Sequence, residues 1–211
     1  MQLFPKSLNN LPLLGAVGSA FALTAAVLIP WYYFSPKHLQ VGYQPEQPVP
    51  YSHKLHAGRL GMDCRYCHAN VENAAHAMLP NTQTCMGCHA TIRTDSAKLA
   101  PVRESWDTGQ PIAWVKVHKL PEHSYFNHSA HLAVGVGCST CHGRVDQMDV
   151  VRLDQPIAMQ WCLECHRNAD TTTFLRPKDQ ITNMAWTPDR NPPGWKAQAV
   201  NPPTHCSGCH R

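Results

Sequence analysis

Ten cysteines stand in five pairs, each pair separated by two residues and each followed at once by a histidine. The runs are Cys64-Arg65-Tyr66-Cys67-His68, Cys85-Met86-Gly87-Cys88-His89, Cys138-Ser139-Thr140-Cys141-His142, Cys162-Leu163-Glu164-Cys165-His166 and Cys206-Ser207-Gly208-Cys209-His210. Cys-x-x-Cys-His is the attachment signature of c-type haem. The two thiols add across the haem vinyl groups as thioethers, and the next residue, histidine, is held close enough to ligate the iron from one face. With 14 histidines in 211 residues, five such coincidences would arise by chance with a probability on the order of 10⁻⁶. The sequence therefore predicts five covalent haems, with His68, His89, His142, His166 and His210 as proximal ligands.

Other uses of paired cysteines fit less well. Zinc sites consume Cys-x-x-Cys pairs two at a time. Five pairs would leave an orphan, and zinc gives no reason for an adjoining histidine each time. Disulfides closed within Cys-x-x-Cys would staple only tiny loops. Thioredoxin-like redox pairs sit beside a βαβ pattern, which the sequence lacks.

A low-spin haem needs a second axial ligand, and histidine sets a lower potential than methionine. Nine histidines are left over: His38, His53, His56, His76, His118, His123, His128, His131 and His205. Four fall in a repeat. Tyr51-Ser52-His53-Lys54-Leu55-His56 precedes Cys64, and Phe126-Asn127-His128-Ser129-Ala130-His131 precedes Cys138. His-x-x-His on one helical turn aims two imidazoles in different directions, so one pair can serve two haems. His53 is expected at the Cys64 haem and His128 at the Cys138 haem, with His56 and His131 reaching across to others. His118, in Trp114-Val115-Lys116-Val117-His118, is the fifth candidate. His38, His76, His123 and His205 read as ordinary histidines. Met148, Met159 and Met184 read first as packing residues and second as a sixth ligand for one haem of higher potential.

Those ligands need a scaffold, and the polypeptide offers little regular apolar structure for one. It carries 18 prolines and only 15% charged residues. Five porphyrins supply the missing core, so the fold expected is a multihaem cytochrome c, mostly coil with short α-helices around five haems. Asp63 and Thr84 are candidate helix caps at two motifs. The formal charge of +4 is no argument for nucleic acid, because five ferric haems with ionised propionates bring the holoprotein to roughly −1. The basic residues also form no run or stripe. Arg65, Arg93, Arg103, Arg144, Arg152 and Arg167 are candidate propionate partners or plain solvated arginines.

In chain order, residues 1–34 read as an N-terminal transmembrane anchor. No charge occurs from Leu11 to Phe34, long enough for a bilayer-spanning helix, and Trp31, Tyr32, Tyr33 and Phe34 suit the interface. Gly18-Ser19-Ala20 offers small residues for signal cleavage, but the apolar run continues past them, so an uncleaved anchor is expected. Lys6 before the anchor places the N-terminus inside and the haem domain on the periplasmic side of the cytoplasmic membrane. Residues 35–50, with Pro36, Pro45, Pro48 and Pro50, read as a Pro-rich linker. Residues 51–211 make the pentahaem domain, built from two-haem modules at about 51–100 and 126–170 and a fifth haem at 206–210. Residues 101–125 interrupt the tandem, and a coil is expected over 171–205.

Several runs have a familiar look. Pro50-Tyr51-Ser52-His53-Lys54-Leu55-His56-Ala57-Gly58 before the first motif is one. Leu99-Ala100-Pro101-Val102-Arg103-Glu104-Ser105-Trp106, Tyr125-Phe126-Asn127-His128-Ser129-Ala130-His131 and Trp161-Cys162-Leu163-Glu164-Cys165-His166-Arg167-Asn168 are others. From about residue 11 to 211 the chain resembles the membrane-anchored pentahaem cytochrome c subunit of bacterial alternative complex III. The resemblance implies an electron-transfer subunit of a respiratory or photosynthetic quinol-oxidising complex. It implies as partners an iron–sulfur/molybdopterin-type subunit, integral membrane quinol-oxidising subunits, and a monohaem cytochrome c or terminal oxidase as acceptor.

Two other functions compete. A multihaem reductase keeps one haem with an open axial position, yet all five motifs here end in histidine and spare histidines outnumber haems. A self-sufficient anchored quinol dehydrogenase needs a group to deprotonate quinol, and the apolar segment holds no acidic or histidine residue. The expected role is electron carriage within a complex, not catalysis by this chain alone.

Overall fold

The computed structural model describes residues 5–35, 38, 40–168 and 175–210. Pro36 of the expected linker, the last residues of the second module and the start of the coil that follows it lie outside them. Two compact units are separated, Met1–Gln40 and Val41–Arg211.

In the first unit the charge-free run forms α1, Leu11–Tyr33, 23 residues preceded by a 3₁₀ turn over Lys6–Asn10. At 1.5 Å per residue it extends about 35 Å, enough to cross about 30 Å of hydrocarbon. None of its described residues is buried, and Phe21 and Trp31 are 76% and 74% exposed. Among the described residues it is the one helix long and apolar enough to cross a membrane. Thr24 turns its hydroxyl back to the Ala20 carbonyl at 2.8 Å, which removes a polar group from the apolar surface. Pro30 falls in the last turn, and Tyr33 closes the helix against the His38 ring, 4.8 Å between centroids.

The second unit has no named strand among the described residues, only isolated bridges at Ser124–His210 and Val136–Leu175. Its α-helices are short: α2 Cys64–Cys67, α3 Thr82–His89, α4 Ala100–Thr108, α5 His128–Ala133, α6 Cys138–His142, α7 Met159–Arg167 and α8 Cys206–Cys209. A π-helical turn, Lys54–Arg59, carries His56 and begins directly after His53. All five motifs thus lie on a helical turn that brings both thiols and the following histidine together. The buried apolar side chains are few and scattered. One small cluster joins Val71, Leu132 and Ile181, from the first module, the second module and the tail. So small a core agrees with a fold whose large apolar bodies are not amino acids.

Local capping chemistry sets several helix starts. Asp63 caps α2, its carboxylate accepting from the Arg65 amide at 2.8 Å and from the Arg65 guanidinium at 2.9 Å. Arg65 holds the Asp63 carboxyl down to about 2. A cap of this kind contributes about 1 kcal/mol. Thr84 does not cap α3. Asn81 does, accepting from the Thr84 amide at 3.0 Å, because the helix begins at Thr82, two residues before Thr84.

The Pro-rich stretch is tied down where it enters the second unit. The Gly42 amide donates to the Leu153 carbonyl at 2.7 Å, and Leu153 returns the bond to Tyr43 at 2.9 Å. Gln47 brackets Val115 with two bonds, at 2.9 and 3.0 Å. The intervening segment 101–125 also contributes structure. α4 packs on α3, with Val102 buried and the Ser105 hydroxyl shared with Thr82. Gly109, at φ +69°, ends α4 in the left-handed conformation that glycine adopts without strain.

Arg176 organises the start of α6. It is 4% exposed and lies 4.2 Å over the Trp186 ring. Its guanidinium donates to the Asn183 carbonyl at 3.1 Å and to Thr140 at 3.3 Å. A Cβ at Gly137 would displace the guanidinium from this position.

Candidate haem sites

A histidine that ligates iron through Nε2 needs its other nitrogen protonated and held. The hydrogen bonds supply that arrangement repeatedly. His68 Nδ1 meets the Met78 carbonyl at 2.8 Å, and His89 Nδ1 meets Ile92 at 3.0 Å. His166 Nδ1 meets Pro203 at 2.7 Å, and His210 Nδ1 meets the His123 carbonyl at 3.3 Å. The repeat histidines do the same: His56 to Ser52 at 2.9 Å, His128 to Ala75 at 2.7 Å and His131 to Asn127 at 2.7 Å. A carbonyl only accepts, so each Nδ1 carries the hydrogen and each Nε2 keeps a free lone pair. The tautomer follows from the partner. Two rings depart from the pattern. His53 Nδ1 is buried without a partner, and His142 Nδ1 faces a side chain, the Nε2 of His118, at 3.2 Å.

Ring separations group these histidines in pairs. Two imidazoles bound to one metal ion from opposite faces, at about 2 Å each, hold their centroids about 6 Å apart. His56 and His89 stand at 6.2 Å, His131 and His166 at 6.1 Å, and His128 and His142 at 6.3 Å with planes only 8° apart. His123 and His210 are 5.6 Å apart. The spaces fit a haem iron between two neutral imidazoles. Burial, first, and nearby histidines, second, push His53 down to about 4 and His142 to about 3, which keeps both rings neutral as ligation requires. His118 and His131 are lowered as well, again chiefly by burial.

The two His-x-x-His pairs each stand beside motif histidines. His128 lies by the proximal histidine of the nearest motif, while His56 and His131 face the second motif of their own modules. His53 lies within electrostatic reach of His68. Residue patterns gave no hint of His123, which has no counterpart in the first module. His38 rests on Tyr32 and Tyr33, and His205 is the backbone N-cap of α8. Met148 is a packing residue, 4% exposed, and Met159 is 61% exposed at the start of α7. Met184 lines a cavity of about 460 Å³ with Met148, Arg144, Arg152 and Asp154. Of the arginines considered for propionates, Arg65 pairs with Asp63 and Glu72, and Arg144 with Asp146. Arg103 donates to the Thr94 and Ser96 carbonyls at 2.7 and 3.1 Å.

Among the described residues no disulfide joins any of the ten cysteines. Among the described residues no three His, Cys, Asp or Glu side chains converge as a bare metal-ion site. The attachment pairs adjoin one another in an order that differs from the sequence. Cys67 lies near Cys85 and Cys88, Cys64 near Cys138, Cys141 near Cys162 and Cys165, and Cys162 near Cys209. Backbone contacts agree. The α5 amides of His128 and Ser129 donate to Ala75 and Ala74 of the first module at 3.2 Å, and Tyr125 donates to Cys209 at 2.7 Å. The succession is second, first, third, fourth and fifth motif.

Residues 124–211 match the family described as cytochrome c7 and related cytochrome c. Over this segment the chain is similar to that multihaem family. The match takes in three of the five motifs, with His128 and His131. Over 129 residues the chain is also 33% identical to the menaquinone reductase multiheme cytochrome c subunit of Nitratidesulfovibrio vulgaris. The alignment takes in 61% of this chain and spans 59% of that relative's length. A cytochrome c domain carries covalently bound c-type haem, and the cysteine pairs and ring gaps fit that group.

Proposed function

We propose that the chain is a pentahaem electron-transfer subunit of a quinone-linked membrane complex. Each bound haem supplies a one-electron iron couple. The polypeptide binds it through two cysteines, fixes the imidazole tautomer through carbonyl acceptors, and sets the next attachment pair beside it. The observation that carries the reading is the unbroken succession of neighbouring pairs from Cys85 and Cys88 to Cys206 and Cys209. A single isolated site would suit a catalyst, whereas a connected row suits conduction. In this reading His53, His56, His128 and His131 are sixth ligands, and α1 anchors the domain in the cytoplasmic membrane with the haems on the periplasmic side. The partners are those of an alternative complex III: an iron–sulfur/molybdopterin-type subunit, integral membrane subunits that oxidise quinol, and a monohaem cytochrome c or terminal oxidase.

The name of the Nitratidesulfovibrio relative favours a second direction, with electrons delivered to menaquinone. One experiment separates the two. When the intact complex is mixed with menaquinol, its c-type absorption bands should become reduced, and ferric cytochrome c should reoxidise them. Bands that stay oxidised with quinol, but are reoxidised by menaquinone once reduced, would reverse the direction. The isolated subunit should not turn over quinol with a soluble acceptor. Steady turnover by it alone would make it a self-sufficient dehydrogenase.

A further inference from the structure

The sequence offers His118 as a sixth ligand, but its position suits another task. Its ring centroid is 4.3 Å from that of His142, well short of the about 6 Å that two imidazoles on one iron require. Its Nε2 approaches the wrong nitrogen for ligation, standing 3.2 Å from His142 Nδ1. The ring that does stand at an iron-spanning distance from His142 is His128, parallel to within 8° at 6.3 Å. His128 is itself committed through Nδ1 to the Ala75 carbonyl. The planes of His118 and His142 cross at 74°, edge to face.

We propose that His118 is a positioning residue for the haem at Cys138 and Cys141: its Nε2 accepts the Nδ1 hydrogen of His142 and fixes that ligand's rotation and basicity. The proposal rests on the haem reading of the third motif. It makes this site different from its neighbours. At His68, His89, His166 and His210 the second nitrogen is held by a peptide carbonyl, while here it is held by an imidazole. An acceptor on Nδ1 makes the ligating nitrogen a stronger donor, which favours ferric iron. The segment that supplies His118 is fastened to the Pro-rich stretch through Val115 and Gln47, so the device comes from outside the two repeats.

The test uses the complete haem-loaded protein carrying His118→Phe, which removes the acceptor and keeps a flat ring. The haem content should match the parent. Ferric EPR should show only low-spin signals, and one of five reductive steps should move to higher potential while four stay in place. A new high-spin ferric signal would identify His118 as a sixth ligand and overturn the proposal. Five unmoved potentials would overturn it too, by leaving the contact without consequence. If His118→Phe fails to assemble, His118→Gln is read instead, because its side-chain oxygen can still accept. That variant should keep five low-spin haems at parental potentials, and a high-spin signal there is equally fatal. Loss of all haem signal in the parent would instead sink the cofactor reading itself, so the two failures are distinguishable.

Discussion

Removing the first attachment pair, Cys64→Ala with Cys67→Ala, should cut electron passage through the subunit by orders of magnitude. The reason is position. This pair is first in the chain but second in the spatial row, between Cys85 and Cys88 on one side and Cys138 on the other. Its loss strands the second haem from the remaining three. The variant should retain four haems, all still reducible at equilibrium, while transfer between the two ends fails on the timescale of turnover. Cys206→Ala with Cys209→Ala gives the contrast, since it shortens the row at one end and leaves the four remaining sites adjoining. Stopped-flow reduction followed at the c-type absorption bands reads both. Transfer in the Cys64/Cys67 variant within a few-fold of the parent would mean that electrons pass around the first site.

His131→Ala should convert one haem in five from low-spin to high-spin. His131 sits in α5 with Nδ1 held by the Asn127 carbonyl, and its ring stands 6.1 Å from that of His166. Truncation should leave the iron at Cys162 and Cys165 open on one face. The ferric protein should then show a high-spin EPR signal worth one haem and bind cyanide at that site. Added imidazole should restore the low-spin spectrum. An unchanged, fully low-spin spectrum would assign the sixth position there to another residue.

The chemistry of this protein is legible from sequence because covalent attachment needs fixed spacing. Cys-x-x-Cys-His cannot vary without losing either a thioether or the proximal ligand, and a charge-free run of some 20 residues announces α1 just as locally. The His-x-x-His repeat is legible for the same reason, since one helical turn fixes the relation of His53 to His56 and of His128 to His131. Long-range relations are not written this way. Nothing near Cys64 indicates that it lies near Cys138, or that His128 will be held by Ala75, 53 residues earlier. The spatial order of the motifs follows from such contacts and reverses the first two.

His118 and His123 show the same limit at single residues. Both lie in a segment without a counterpart in the other module, so no repeat marks them, and spacing alone cannot tell a ligand from the residue behind a ligand. Arg176 carries no motif at all. Its role emerges from Gly137, Trp186 and the motif residues Ser139 and Thr140 meeting around one guanidinium. Threonine and asparagine both cap well, so sequence alone does not choose between Thr84 and Asn81 for α3, and the backbone decides that the helix begins after Asn81.

The central claim is that ten sulfurs are spent on five haems. Denaturing the purified full chain, extracting it with acidic organic solvent and weighing it tests this directly, because thioether-bound haem survives the treatment and every other kind is washed away. The mass should exceed that of the polypeptide by five tetrapyrroles. A mass equal to the bare chain would contradict the account, and a smaller whole number of haems would identify motifs that are not used.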